Sequence, residues 1–305
     1  MKKNEHEAFK KAVWREGFSL EYDIAEQLKI SGWEIFPNRY FQEIPSRSLK
    51  QYDIAASRSF SQNGYSFSFI LVVECKYNAD QIVFYIRTAD NKEPYQLKNM
   101  LGEDLKSIYS WESVKKVFRS IKQYREIFFS EDQVFGYQVF AKKITQGAKG
   151  KKKKNKNKNE KVEKQTVEFT PHPDSAAKKV FGALNTVAAA VRHEHSLIVD
   201  DGDPKRAYFL FPIVVLSGGL NKAYFRDRKT LKPSSFFRYK TGIADIGEKE
   251  PDEYFVHIVD KDGIKKMIKL LNQIFKKFET DFHKTLINLK KNTQTPESNV
   301  PASSE

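Results

Sequence analysis

The chain has 305 residues, 40% of them hydrophobic and 13% aromatic, enough to bury a large core, and it contains no run long and apolar enough to span a bilayer. Its lone cysteine, Cys75, excludes an internal disulfide framework and a cysteine-based zinc cluster. The net charge of +14 suggests a polyanionic partner, but residues 142–165 hold eleven Lys against two Glu, so +9 of that total sits in one low-complexity segment.

The first residues, MKKNEHEAFKKAVWREG, lack the apolar segment of a secretory signal, and a cytoplasmic protein away from membranes is expected. Residues 8–31 are predicted to form an amphipathic helix with Trp14, Phe18, Ala25 and Leu28 on one stripe. Glu21 falls on that stripe. It either serves a purpose inside or lies at the stripe's edge and reaches to water. Gly32 stops the helix. A first strand over 33–41 is kinked or interrupted near Pro37, and a second over 51–57 carries Asp53. After a turn at Gly64 the hairpin returns through Phe67 to Tyr77, an apolar run that switches abruptly to Glu74-Cys75-Lys76. Side chains alternate along a strand, so Glu74 and Lys76 share a face while Cys75 points to the other.

Further along, 81–86 reads as a short strand, 88–110 is ambiguous, and Trp111, Val114, Phe118, Ile121, Tyr124 and Phe128 set a helix over 111–128. A strand over 134–141 precedes the lysine-rich segment, which reads as a disordered insertion over 142–165. It is either a solvated loop or a holder of phosphates, with Lys151, Lys152, Lys153 and Lys154 as nucleic-acid contacts. Then come a helix over 173–193 with Val180, Phe181, Leu184, Val187, Ala188 and Val191 on one face, and an apolar strand over 207–216 in which Pro212 implies a bulge or an edge position. Strands over 223–225 and 254–259 follow. Asp260 or Asp262 caps a last helix with Ile264, Met267, Ile268, Leu271, Ile274, Phe275 and Phe278 inward, and 291–305 reads as a disordered tail. Alternating helices and strands without a clean linker predict a single α/β domain over 1–290.

Glu21, Asp53 and Glu74, with Lys76 two residues on, are hard-oxygen donors suited to Mg²⁺ or Mn²⁺. Such an ion activates water and neutralises a phosphodiester, and Lys76 orients the attacking water or stabilises the developing phosphate charge. Whether Asp53 meets Glu74 depends on register, since a slip of one residue sends them to opposite faces. Other candidates are weaker. His193 and His195 lack further ligands and sit at a helix end, and GAKGK at 147–151 lacks the spacing of a phosphate loop.

The order of these residues, Glu on a first helix, Asp on a strand and Glu-x-Lys ending the next apolar strand, resembles the PD-(D/E)xK nuclease superfamily with its restriction-endonuclease-like fold. The resemblance covers roughly residues 10–86, with Tyr52 standing where the family has proline. It implies a mixed central sheet flanked by helices, here with an extended carboxyl half. It also implies a metal-dependent nuclease acting on DNA in restriction, defence or repair. Catalysis falls on Asp53, Glu74 and Lys76, and metal binding on Glu21, Asp53, Glu74 and the backbone carbonyl of Cys75. The alternative is a nuclease-like domain that only binds nucleic acid or protein. A homodimer is the assembly that cutting both strands would call for.

Overall fold

A computed structural model describes residues 18–43, 47–77, 81–88, 102–121, 132–145, 166–171, 174–224, 227–243 and 252–293. In chain order its elements are α1 (Phe18–Ile30), β1 (Glu34–Gln42), β2 (Leu49–Gln62), β3 (Tyr65–Lys76), β4 (Gln81–Thr88), α2 (Glu103–Ile108), α3 (Trp111–Arg119), β5 (Asp132–Thr145) and β6 (Thr166–Pro171). They continue with α4 (Asp174–Asp201), β7 (Arg206–Leu216), β8 (Leu220–Tyr224), β9 (Asp227–Pro233), β10 (Phe236–Ile243), β11 (Asp252–Asp260) and α5 (Lys261–Thr293).

The described strands make one mixed, eleven-stranded sheet in the order β1-β2-β3-β7-β11-β10-β5-β4-β8-β9, with β6 on β5. β2 pairs antiparallel with β1 and β3, joined to β3 by a two-residue turn in which Asn63 (φ 53) and Gly64 (φ 80) supply the positive φ that a tight hairpin needs. β3, β7 and β11 then run parallel, and Lys76, Leu216 and Asp260 lie level at their carboxyl ends. This edge of the sheet carries the candidate chemistry, as open α/β sheets commonly place it.

Alternation along β3 divides the core in two. Phe67, Phe69, Leu71, Val73 and Cys75 pack with α1, α2, α3 and α5, while Val72 packs with α4 on the opposite face. The inward stripe of α5 is as its sequence predicts: Ile264, Met267, Ile268, Leu271, Ile274, Phe275 and Phe278 are all buried. The Phe278 ring lies 6.2 Å from that of Phe67, 5.9 Å from Phe69, 5.0 Å from Phe118 and 5.2 Å from Phe209. Burial of a side chain of this size contributes about 1.5–3 kcal/mol. Asp260 caps α5, its Oδ1 accepting the N–H groups of Asp262 at 3.1 Å and Gly263 at 2.6 Å. Gly32 (φ 85) ends α1 as expected: its N–H reaches Lys29 O and the Trp33 N–H reaches Leu28 O, the paired bonds of a Schellman motif.

Several expectations change. Phe18 is 61% exposed, and α1 buries Leu20, Ile24 and Leu28, so Glu21 flanks the buried stripe. Trp14 and the start of that predicted helix lie outside the described residues. Phe181 is 52% exposed, because α4 turns Val180, Ala183, Leu184, Val187 and Val191 inward. α4 also runs eight residues past the predicted end at His193. Residues 142–145, assigned to the disordered insertion, belong to β5, where they pair with β6. Residues 291–293, assigned to the disordered tail, are the end of α5, while 294–305, the predicted helix beyond Ile121 and the remainder of the lysine-rich segment, with Lys151, Lys152, Lys153 and Lys154, lie outside the described residues.

Pro212 marks neither a bulge nor an edge. It lies opposite Val72 in an unbroken register between β3 and β7. The Ser217 N–H donates to Lys76 O, so odd-numbered residues of β7 face β3 and the missing N–H of Pro212 faces β11. The β7–β11 ladder begins only at Ile213, one residue beyond the position where that donor would be needed.

Candidate functional site

The site forms where β2 leaves β3. Their ladder ends at Ile54 opposite Val73, and beyond it the Asp53 carboxylate accepts the N–H of Cys75 through Oδ2 at 2.6 Å. Asp53 thereby takes the place of the next backbone partner. The cause lies one strand further out. Ile54 and Ala56 pack on the α1 face, yet Tyr52 packs on the α4 face, although strict alternation would put Tyr52 with Ile54. β1 makes the same switch, with Ile35 on the first face and Phe41 on the second. The ladder pairs Pro37 with Ile54 and Arg39 with Tyr52, and between them Asn38 has φ 55, a left-handed backbone that asparagine tolerates. The kink expected near Pro37 is therefore real, and Asp53 sits across from it.

A clamp fixes this switch from the α4 side. Glu194, 5% exposed, accepts the Tyr52 hydroxyl at 2.9 Å on Oε1. Arg39 grips the same carboxylate with two nitrogens, Nε at 2.8 Å and Nη2 at 3.2 Å. Burial and the Glu194 charge hold the Tyr52 hydroxyl well above its usual range, so it stays a proton donor. Sequence reasoning passed over Glu194 for its neighbours His193 and His195. The signal was present: Val187, Val191 and Glu194 continue one helical stripe, a carboxylate on an inward face like the one that singled out Glu21.

On β3, Glu74 is 4% exposed and ion-paired through Oε1 with Lys76, while its buried Oε2 has no hydrogen-bond partner. Burial, then repulsion from Asp53, lifts its pKa to about 7 against the partial relief of Lys76. Asp53 is raised by burial, with Lys76 and the Cys75 N–H pulling it back. Glu21, on α1, is raised by burial and then by Asp53. Burial lowers the Lys76 ammonium, but Glu74 and Asp53 outweigh it and leave a net rise, so Lys76 remains a cation. Burial pushes the Cys75 thiol far up, which makes it an inert core side chain. The Lys76 carbonyl faces β7, so the Cys75 carbonyl faces the gap left by β2.

The structure therefore brings Asp53, Glu74 and Lys76 together, with Glu21 close enough to feel both Asp53 and Lys76. Asp53 and Glu21 also line a cavity of about 600 Å³ between α1 and β1–β2, walled by Phe18, Tyr22, Trp33, Ile35 and Ile54. Among the described residues, no three His, Cys, Asp or Glu side chains are gathered as ligands of one metal ion. The donor chemistry nonetheless suits a hard divalent cation: oxygen ligands, a buried carboxylate oxygen without a partner, and three acids against one lysine. Among the same residues no helix is long and apolar enough to cross a membrane. No family model matches the chain, and no curated protein or solved structure is significantly similar to it.

Proposed function

We propose that the chain is a metal-dependent nuclease that hydrolyses phosphodiester bonds in DNA, built on the PD-(D/E)xK pattern with a restriction-endonuclease-like core. One observation carries the reading: Asp53 of β2 and Glu74 of β3 both interact with a single lysine at the carboxyl edge of the parallel strands, and Glu21 of α1 lies near enough to interact with Asp53 and Lys76, in a partly buried setting that raises the pKa of all three acids. Such repulsion is costly unless a cation joins it. Asp53 and Glu74 would hold Mg²⁺ or Mn²⁺, with the Cys75 carbonyl and Glu21 as further oxygen donors. When bound, the ion supplies Lewis acidity toward the phosphodiester and lowers the pKa of water. Lys76, held protonated, contributes positive charge where the phosphate becomes more negative. Cleavage of both strands of a duplex would need two such sites, which favours a homodimer, and the work would lie in restriction, defence or repair.

The test is cleavage of DNA and RNA substrates by the full chain with Mg²⁺ or Mn²⁺. Lys76→Ala should abolish cutting with an unchanged circular dichroism spectrum. Equal cutting by wild type and Lys76→Ala across the panel refutes the reading. A second reading, a domain that binds without cutting, is favoured by one feature: Lys76 already occupies Glu74. In that case millimolar Mn²⁺ would not raise the melting temperature, and Asp53→Ala would leave cellular function intact.

A further inference from the structure

We propose that the outward face of α5 is the track along which the sugar–phosphate backbone of a nucleic acid approaches the site. This deepens the nuclease reading and rests on it. Residues 142–165 hold +9 of the chain's charge, and α5 carries a second concentration of lysines, within the described residues. Lys265, Lys266, Lys269, Lys276, Lys277 and Lys284 are all exposed. At 100° per residue they fall within a sector of about 120°, opposite the buried stripe that docks the helix on the sheet. From Lys265 to Lys284 the row is about 28 Å long at 1.5 Å per residue. Two ion pairs touch this face at its first turn, Lys265 with Asp262 at 3.9 Å and Lys261 with Asp23 at 3.7 Å. Beyond that turn Glu279 is the one exposed carboxylate between Lys265 and Lys284.

The placement of the row links it to the chemistry. Lys76, Leu216 and Asp260 lie level on neighbouring strands, and α5 begins at Lys261. The helix therefore starts about 10 Å, two strand spacings, from Lys76. It lies on the same face of the sheet as α1, and the pair between Lys261 and Asp23 ties the two helices two residues from Glu21. The α3 helix, which packs against α5, presents Lys116 and Arg119 as exposed cations. A polyanion lying along α5 thus reaches Glu21 and Asp53, the acids on the α1 side of the site, from a cationic side, which answers how carboxylates act on a phosphate chain that they repel. Ammonium groups on flexible stems hold phosphates without reading bases, so binding should be insensitive to sequence and steep in salt.

The experiment measures binding of the full chain to 20-base-pair duplexes and single strands of unrelated sequence in EDTA, where no cutting occurs, from 50 to 200 mM salt. The triple variant Lys266→Ala, Lys269→Ala, Lys277→Ala changes exposed helical positions only, and a thermal melt confirms its fold. It should bind at least tenfold more weakly at 100 mM salt, with the slope of log K against log salt reduced by about three. Binding is read in EDTA and cutting with Mg²⁺, so a wild type that binds through these lysines but cuts nothing fails the catalytic reading alone, whereas unchanged binding in the triple variant fails this inference alone. Unchanged binding in the triple variant overturns the inference, as does loss of binding only when Lys151, Lys152, Lys153 and Lys154 are replaced. So would loss of binding to phosphatidylserine vesicles alone, which would assign the face to a membrane.

Discussion

Replacing Glu194 by Ala tests how the backbone switch at Asp53 is held. The substitution removes a buried carboxylate that accepts the Tyr52 hydroxyl and both Arg39 nitrogens. Tyr52 is fully buried, so its hydroxyl is left without a partner in the core, at a cost of about 1–3 kcal/mol. Arg39 adds little, because its side chain is 38% exposed and rehydrates once released. The expected loss is therefore about 2–3 kcal/mol, most of it through Tyr52, read as a shift of the urea midpoint at constant slope. Tyr52→Phe alone should cost only about 1 kcal/mol, since Glu194 keeps Arg39. In the double variant no hydroxyl is stranded, and its loss should fall short of the sum of the single losses by at least about 1 kcal/mol. Additivity within about 0.5 kcal/mol would refute the reasoning and show that the three residues do not act as one clamp.

Two further outcomes follow from the geometry. In EDTA, Glu74 makes stability depend on pH: its unfolded pKa of 4.5 rises to about 7 on folding, so its contribution is fully present below pH 4.5 and is lost as pH rises to 7. The loss is at most about 3 kcal/mol, and Glu74→Gln should flatten the pH dependence of the urea midpoint across that window. Gly263→Ala should destabilise by about 2–3 kcal/mol without touching the site, because a Cβ there would lie 2.2 Å from the Ser235 carbonyl oxygen; a melting temperature within 2 °C of wild type would contradict it.

What the sequence disclosed depended on whether the signal was local. The β3 run and the α5 stripe were readable because burial repeats with the period of the element itself. In α1 the buried stripe runs through Leu20, Ile24 and Leu28; the predicted one shares Leu28 with it and has Ala25 packed against the core, but its Phe18 is exposed. Pro212 misled because its cost depends on where a strand from far down the chain begins to pair. β9 and β10 went unassigned, since DRKTLKP and its successor lack strong alternation and are set by their neighbours in the sheet. At the site, Asp53, Glu74 and Lys76 were found by order and residue type. That Asp53 meets β3 through the Cys75 N–H was not legible, because it depends on the switch at Asn38 two strands from β3.

The position of β3 also bears on how the protein matures during translation. Its partner β2 is ready as soon as the hairpin emerges, but Glu74 lies opposite Val214, 140 residues downstream. At about 5–20 residues per second, a ribosome needs roughly 7–28 s to supply that second neighbour. Until then the strand bearing Glu74 and Lys76 has an open edge of unpaired backbone groups on its β7 side, and the nascent chain is exposed to mispairing there. The cluster of acids assembles only after most of the chain exists, so a fragment truncated before residue 206 carries every residue of the site and lacks the site itself.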